Sequence, residues 1–226
     1  SISDGDISVR KIDKPVSGRL FTSTALTNTE ILEVGVRNLD DSPIASFRLG
    51  YSINGGVWKS KDFNINLPAN SITTVKVDTL DLSASGNYVL KLAVQNLFSI
   101  DPIKSNDTVY KSVRQLNNTA VSLNNSVNED FETWPIIETS MPEYGISPDE
   151  RWDYNNVNDT CRMRSFVKND ITISGSRAIS LDASINSSNT HRNEFAGTYN
   201  LSSYNASNVE LRYEFDYLVH GYIRDD

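Results

Sequence analysis

The sequence is poor in cysteine and histidine and contains no long apolar run. A single cysteine, Cys161, cannot form an internal disulfide, so the fold has to be stable without covalent cross-links. Only His191 and His220 accompany that cysteine, which leaves almost no ligands for a zinc site. The apolar runs are a few residues long, and this excludes a membrane-spanning helix.

The net charge of -8 is distributed unevenly along the chain. Residues 1–118 hold 13 Lys and Arg against 12 Asp and Glu, whereas residues 119–226 hold 8 against 17. The second half therefore carries all of the net acidity and is a poor partner for nucleic acid, because phosphate contacts need clustered Lys and Arg. Cations, cationic surfaces and neutral glycans fit this charge better.

Helical periodicity is hard to find, and the chain is rich in asparagine, which favours turns and strand surfaces. Period-2 alternation predicts strands over residues 31–39, 47–53, 57–65, 73–80, 87–95 and 108–116. The pair Asn54-Gly55 accepts the positive φ angles of a type I′ turn and predicts a hairpin. Short strands separated by turn residues are typical of an antiparallel sandwich, and we assign residues 1–117 to an immunoglobulin-like domain.

The first half also resembles a known family. The resemblance lies in three segments, NTEILEVGVRNLDDSPIASFRLGYSINGG, LPANSITTVKVDTLDLSASGNYVLKLAVQN and SNDTVYKSV. They are similar to the bacterial adhesion-type immunoglobulin-like repeat of the CARDB-like group, in which a V+N-G-x-x-P-I strand precedes a Y-x-I-N-G-G hairpin. The resemblance covers about residues 6–116 and departs at Asp40-Asp41, where the group more often has a Gly-containing turn.

The second half has a different organisation. Residues 118–129 are rich in Asn and Ser and predict a linker or a lead-in strand. Residues 142–160 indicate an irregular stretch, and strands are predicted within 161–166 and 171–183. The clearest alternation runs from Val209 to Tyr217 and predicts a long strand with one apolar and one charged face. Because such a strand needs neighbours, we expect the domain to continue beyond residue 226.

The string DFE…SGSRAISLD…NLSSYNASNVELRYEFDYLVHG resembles MAM-like, or choice-of-anchor J, jelly-roll domains of bacterial proteins exported by the type IX secretion route. The fold prediction is therefore all-β: an immunoglobulin-like sandwich followed by the N-terminal part of a jelly roll over residues 130–226. The step after the opening D-F-E is altered, because Glu132-Thr133-Trp134-Pro135 replaces the usual P-x-G-W. The resemblance implies export through the type IX machinery to the extracellular space or the outer-membrane surface.

Related jelly rolls often hold a structural calcium through an opening acidic residue, loop carbonyls and a later carboxylate. The resemblance thus implies a calcium site at Asp130, Glu132 and Asp182, and oxygen ligands of this kind suit Ca²⁺. The alternative is that these carboxylates are ordinary exposed residues at strand ends.

Three aromatic residues are candidates for binding a glycan, because sugars are held by ring faces among polar groups. Trp152 and Tyr154 lie in the loop sequence PDERWDYNNVND, and Trp134 is a weaker candidate. The alternative, which we favour, is that these rings close the edge of the sandwich.

Catalytic patterns are weak. Glu214 and Asp216 share one predicted strand face at a spacing that glycosidase carboxylates also show. Their face also carries Glu210 and Arg212, which is typical of a solvated strand surface. Cys161 has no neighbouring base in the sequence, and we expect no enzymatic activity in this segment.

Thr79 and Thr108 each follow an aspartate and precede an aliphatic residue, in a triplet that resembles the O-glycan acceptor motif of the same bacterial group. The alternative is that both threonines are ordinary strand residues.

These patterns favour a non-catalytic segment of a large secreted or cell-surface protein, acting as a spacer, an adhesion module or a docking module for a surface glycan or protein. Two alternatives stay open: the accessory region of a secreted hydrolase such as a zinc metalloprotease, and a carbohydrate-binding module. An H-E-x-x-H motif upstream would favour the hydrolase.

Overall fold

The computed structural model describes residues 4–19, 25–122, 126–146, 148–158, 160–167, 172, 174–184, 191–204 and 210–219. The chain forms two compact units, Ser1–Leu116 (unit 1) and Asn117–Asp226 (unit 2). Regular structure in the described residues is β-strand, apart from one 3-10 turn at Lys104–Asn106, so the all-β prediction is confirmed. None of these residues belongs to a helix long and apolar enough to cross a membrane.

Unit 1 is a sandwich of two antiparallel sheets. Its strands are β1 Ile7–Lys14, β2 Glu30–Asn38, β3 Phe47–Ile53, β4 Lys59–Phe63, β5 Ile72–Leu80, β6 Gly86–Asn96 and β7 Thr108–Gln115. One sheet has the order β1-β2-β5 and the other the order β4-β3-β6-β7. Both sheets contribute to one apolar core, so the immunoglobulin-like sandwich is confirmed.

The alternation in β2 shows how the sequence builds this core. Leu32, Val34 and Val36 are fully buried, whereas Glu33 is only partly covered. A strand with one face against a core places every second side chain inside. The strand therefore follows the period-2 pattern on which its prediction depends.

The predicted hairpin between β3 and β4 is confirmed. Asn54 has a φ of 50° and Gly55 a φ of 69°, and both angles belong to the left-handed region that a type I′ turn needs. The turn is closed by a hydrogen bond of 2.9 Å from the Gly56 amide to the Ile53 carbonyl oxygen.

Unit 2 contains two three-stranded antiparallel sheets. Its strands are β8 Ile137–Thr139, β9 Glu143–Ile146, β10 Trp152–Asn156, β11 Cys161–Val167, β12 Arg177–Ala183 and β13 Asn193–Gly197. The sheet orders are β13-β10-β9 and β12-β11-β8. The jelly-roll assignment of this unit stays a prediction.

The prediction of an irregular stretch over 142–160 is wrong, because β9 and β10 lie within it. Trp152, Asp153 and Tyr154 are consecutive and all buried. When both faces of a short strand are covered, apolar and polar residues no longer alternate, and the period-2 signal disappears.

The predicted strand over 209–217 is wrong for residues 210–217, which form no strand in the structure, and Val209 lies outside the described residues. The predicted apolar face does exist. Tyr213 and Phe215 have ring centroids 5.7 Å apart, and Phe215 and Tyr217 have centroids 6.0 Å apart. An apolar face alone does not form a strand, because the backbone also requires a hydrogen-bonded neighbouring strand. The rings of this face are largely exposed.

Candidate functional site

The three residues predicted to bind calcium serve different structural roles. Asp130 lies in a turn, where its Oδ1 accepts a hydrogen bond of 3.1 Å from the Glu132 amide. Between them Phe131 has a φ of 62°, a left-handed conformation that such a turn stabilises. The Asp130 carboxylate therefore shapes the chain at the start of the predicted jelly roll.

Glu132 braces the turn that precedes β12. Its Oε1 accepts hydrogen bonds from the amides of Ser176 at 2.7 Å and Arg177 at 2.9 Å, and its Oε2 accepts one from the Ser176 hydroxyl at 2.6 Å. These hydrogen bonds, led by that of the hydroxyl, lower the pKa of Glu132. Gly175 suits this position because its φ is 66° and a Cβ would lie 2.2 Å from Oε1, so a side chain here would strain the backbone and displace the carboxylate.

Asp182 bridges two arginines of the neighbouring strand β11. Its Oδ1 accepts a hydrogen bond of 2.6 Å from Nε of Arg162, and its Oδ2 pairs with Arg164. Burial raises the pKa of Asp182, but the hydrogen bonds from the two arginines outweigh burial, and the pKa is lowered. Its carboxylate is thus already neutralised by two side chains of the same sheet.

Among the described residues, the group of three acidic side chains close enough to share a metal ion is Asp4, Asp40 and Asp41, all in unit 1. Asp130, Glu132 and Asp182 do not form such a group. The calcium site at these three residues stays a prediction. The Glu132 and Asp182 carboxylates already have hydrogen-bond donors within the protein, so their positions can be explained without an ion.

Replacing Glu132 by alanine should release the turn at residues 175–177, because two amides and a hydroxyl lose their acceptor. We expect faster amide hydrogen exchange at Ser176 and Arg177, measured by mass spectrometry, with or without a calcium chelator. Asp130→Asn is the matched control, since Asp130 accepts no hydrogen bond from this turn. Unchanged exchange in Glu132→Ala would contradict the bracing role.

The aromatic residues predicted to bind a glycan lie in the core of unit 2. Trp134, Trp152 and Tyr154 are 1%, 5% and 0% exposed. Trp152 stacks on Phe195 with ring centroids 4.7 Å apart and an interplanar angle of 8°. Sugar rings need an open aromatic face, so this arrangement corrects the glycan prediction for these residues and agrees with the packing alternative.

Unit 1 carries the one tryptophan with substantial exposure. Trp58 is 47% exposed and lies over Gly50, where a Cβ would come within 2.4 Å of the indole Nε1. A glycine beneath the ring lets the indole lie flat against β3, so Trp58 packs beside the hairpin.

The candidate catalytic groups do not form a reactive arrangement. Cys161 Sγ lies 3.9 Å from Nδ1 of His191, a contact that the sequence does not reveal because 30 residues separate the two. The cysteine is 0% exposed, and a nucleophile has to be reached by its substrate. Glu214 and Asp216 lie in segment 210–219, all of whose residues are exposed.

Both candidate O-glycan acceptors, Thr79 and Thr108, are exposed. The aspartates that precede them have structural roles: Asp78 Oδ2 accepts a hydrogen bond of 2.5 Å from the Tyr51 hydroxyl, and Asp107 is 7% exposed. The hydrogen bond from Tyr51 lowers the pKa of Asp78. Modification at these threonines stays a prediction.

The first and last strands of unit 1 determine where the chain enters and leaves it. Near the start of β1, the Ile7 amide donates a hydrogen bond of 3.0 Å to Asp101, which precedes β7. Beyond the end of β1, the Gly18 amide donates one of 2.7 Å to the Arg114 carbonyl oxygen, near the end of β7. The two strands therefore run in the same direction, and the chain enters at one end of the sandwich and leaves at the other.

A lysine ties the middle of β7 to the last residues of β1. Lys111 Nζ donates hydrogen bonds to the carbonyl oxygens of Ile12 at 3.0 Å and Asp13 at 3.3 Å. Burial lowers the pKa of this lysine.

No protein-family model matches the chain, and no curated protein matches it. Two solved structures, both of a CARDB domain from Pyrococcus furiosus, are similar to part of it. A solution NMR structure is 18% identical with a TM-score of 0.38, covering 48% of this chain and 93% of the other. A crystal structure, described as a complex with di-metal ions, is 16% identical with a TM-score of 0.34, covering 48% and 89%. Neither is a MAM-like or choice-of-anchor J domain.

Proposed function

We propose that this chain is a non-catalytic β-sandwich segment of a large secreted or cell-surface bacterial protein, in which unit 1 acts as a spacer. The protein would be exported by the type IX route, and a surface glycan or protein would be its adhesion or docking ligand. The export route is supported by the sequence resemblance of the second half alone.

The spacer role is supported by the opposite positions of the chain entry and exit in unit 1. An eight-residue strand such as β1 spans about 26 Å, so each copy of this fold adds at least that length between its neighbours. A domain whose termini lie side by side would add much less. Because β1 and β7 run in the same direction, a pull on the two ends would slide one strand against the other.

Force spectroscopy on the full chain, held at its two ends, tests the spacer role. We expect unit 1 to resist load and then unfold in one step, with a gain in length of about 350 Å. All of the ties between β1 and β7 have to break together in that geometry.

Lys111→Met is the matched variant, because it removes the side-chain tie between β1 and β7 and keeps the length of the side chain. We expect a lower unfolding force with the same gain in length. Gradual extension without a force peak in the unmodified chain would contradict the spacer role.

A further inference from the structure

Three buried aspartates lie near the end of unit 1 where the chain enters. Asp6, which precedes β1, and Asp101 are each 2% exposed, and Asp107, which precedes β7, is 7% exposed. Carboxylates are rarely this buried unless they are paired with a cation or fully hydrogen-bonded.

Backbone and amide donors hold these aspartates together. Asp101 accepts hydrogen bonds from the amides of Ile7 at 3.0 Å and Ile103 at 2.8 Å. The side-chain amide of Asn106 donates to Asp6 Oδ1 at 2.9 Å. These hydrogen bonds attach the residues before and at the start of β1 to the connection between β6 and β7, which lies about 100 residues further along the chain.

Two oxygen atoms in this cluster have no donor. Asp107 Oδ1 and Asn106 Oδ1 are both buried and make no hydrogen bond. Burial raises the pKa of Asp107 to about 6, and the side-chain contact with Asp101 adds to this rise. The side chains of Asp101 and Asp107 are therefore in contact inside this cluster.

The nearby positive charge is insufficient to balance these carboxylates. Lys104 Nζ lies 3.6 Å from Asp107 Oδ2, and its side chain is 66% exposed. An exposed lysine at this distance contributes little, because water screens it. The cluster combines two carboxyl groups in contact with buried oxygen atoms that have no hydrogen-bond donor, which is the chemistry of a cation site.

We propose that this cluster binds a divalent cation of the calcium class through oxygens of Asp101, Asn106 and Asp107. Calcium takes carboxylate and amide oxygens and tolerates irregular geometry, whereas zinc prefers nitrogen and sulfur ligands that this cluster lacks. The bound ion would join the loop after β6 to the start of β7. It would strengthen the end of unit 1 at which β1 begins.

The acidic group of Asp4, Asp40 and Asp41 is the rival position for an ion. There Asp40 already has two backbone donors: Oδ2 accepts from the Gly5 amide at 2.6 Å and Oδ1 from the Ser42 amide at 2.9 Å. The hydrogen bond from Gly5 is the main reason why the pKa of Asp40 is lowered. Both oxygens of Asp40 thus have a backbone donor, whereas Asp107 Oδ1 has none.

Calcium titration of the full chain tests the proposal, with binding measured by calorimetry and stability measured by thermal melting against a chelator control. We expect one bound ion and a rise in the melting temperature of unit 1 of about 10 °C at about 100 times Kd. Hydrogen exchange should slow in peptides covering 4–14 and 101–110.

Asp107→Asn is the diagnostic variant, because it preserves size and removes one negative charge. We expect it to melt in chelator at or above the temperature of the unmodified chain and to lose at least ten-fold in calcium affinity. Asp41→Asn, in the rival group, should keep the full calcium response.

Three results would overturn the proposal. The first is an unchanged melting temperature of unit 1 in a large excess of calcium, about 10 mM. The second is loss of the response in Asp41→Asn with retention in Asp107→Asn. The third is a unit 1 whose stability does not respond to calcium but rises as the pH falls from about 7.5 to about 5.5, with Asp107→Asn removing that pH dependence. Asp101 and Asp107 would then share a proton instead of a metal ion.

Discussion

Replacing Trp152 by alanine should abolish the cooperative unfolding of unit 2 or lower its melting temperature by about 12 °C or more. The indole is 5% exposed, stacks on Phe195 and lies 6.2 Å, centroid to centroid, from Trp134. Removing a buried tryptophan costs about 3–5 kcal/mol of unfolding free energy, and the small aromatic core of unit 2 has few other contacts to compensate. Differential scanning calorimetry of the full chain measures this effect.

Trp58→Ala is the matched control, because Trp58 is 47% exposed and belongs to unit 1. Its melting temperature should stay within about 4 °C of that of the unmodified chain. A Trp152→Ala protein that melts normally would show that the aromatic cluster does not hold unit 2 together. Loss of glycan binding in Trp152→Ala would report unfolding, so this variant cannot be used to locate a sugar site.

Replacing Asn38 by alanine should destabilise unit 1 by about 3 kcal/mol, a fall in melting temperature of about 12 °C or more. Asn38 is 0% exposed. Its Nδ2 donates to the carbonyl oxygens of Ser42 at 2.9 Å, Leu67 at 3.1 Å and Pro68 at 3.1 Å, and its Oδ1 accepts from the Asp40 amide at 2.8 Å. Alanine removes the donor of the Ser42 carbonyl oxygen and the acceptor of the Asp40 amide, and an unpaired backbone group costs about 1–3 kcal/mol. The Leu67 and Pro68 carbonyl oxygens keep hydrogen bonds from the Ile44 amide and from Ser71, so their loss is smaller.

Asn66→Ala is the control for this prediction, because Asn66 precedes the same loop and is exposed. Its effect should be within about 0.5 kcal/mol. Chemical denaturation followed by circular dichroism measures both variants. Equal stabilities of Asn38→Ala and Asn66→Ala would contradict the role of Asn38 in joining the two loops.

The strands of unit 1 could be predicted wherever a strand has one buried and one exposed face. β3 has the predicted bounds, Phe47–Ile53, and β2, β5, β6 and β7 each differ from theirs by one residue at one or both ends. β1 has no such alternation in its sequence, because its pairing with β2 shifts register between Val9 and Lys11 and again between Ile12 and Lys14. Each shift moves the next side chain to the other face and interrupts the alternation.

Unit 2 is harder to predict because most of its strands are short and β10 is covered on both faces. The sequence around Trp152 contains the same aromatic and polar residues that an exposed sugar-binding loop would contain. Burial of those rings depends on Phe131 and Phe195, which come from distant parts of the chain. Composition alone cannot distinguish the two arrangements.

The sequence by itself determined the all-β class, the type I′ hairpin at Asn54-Gly55 and most strands of unit 1. Each depends on backbone preference or on alternation within a few neighbouring residues. Only the tertiary structure decided the role of each carboxylate. Asp182 faces Arg162 because of the register between β12 and β11, and Asp107 meets Asp101 within the connection between β6 and β7. The charge state and function of a carboxylate depend on the groups that folding brings near it, and local sequence patterns do not show which groups those are.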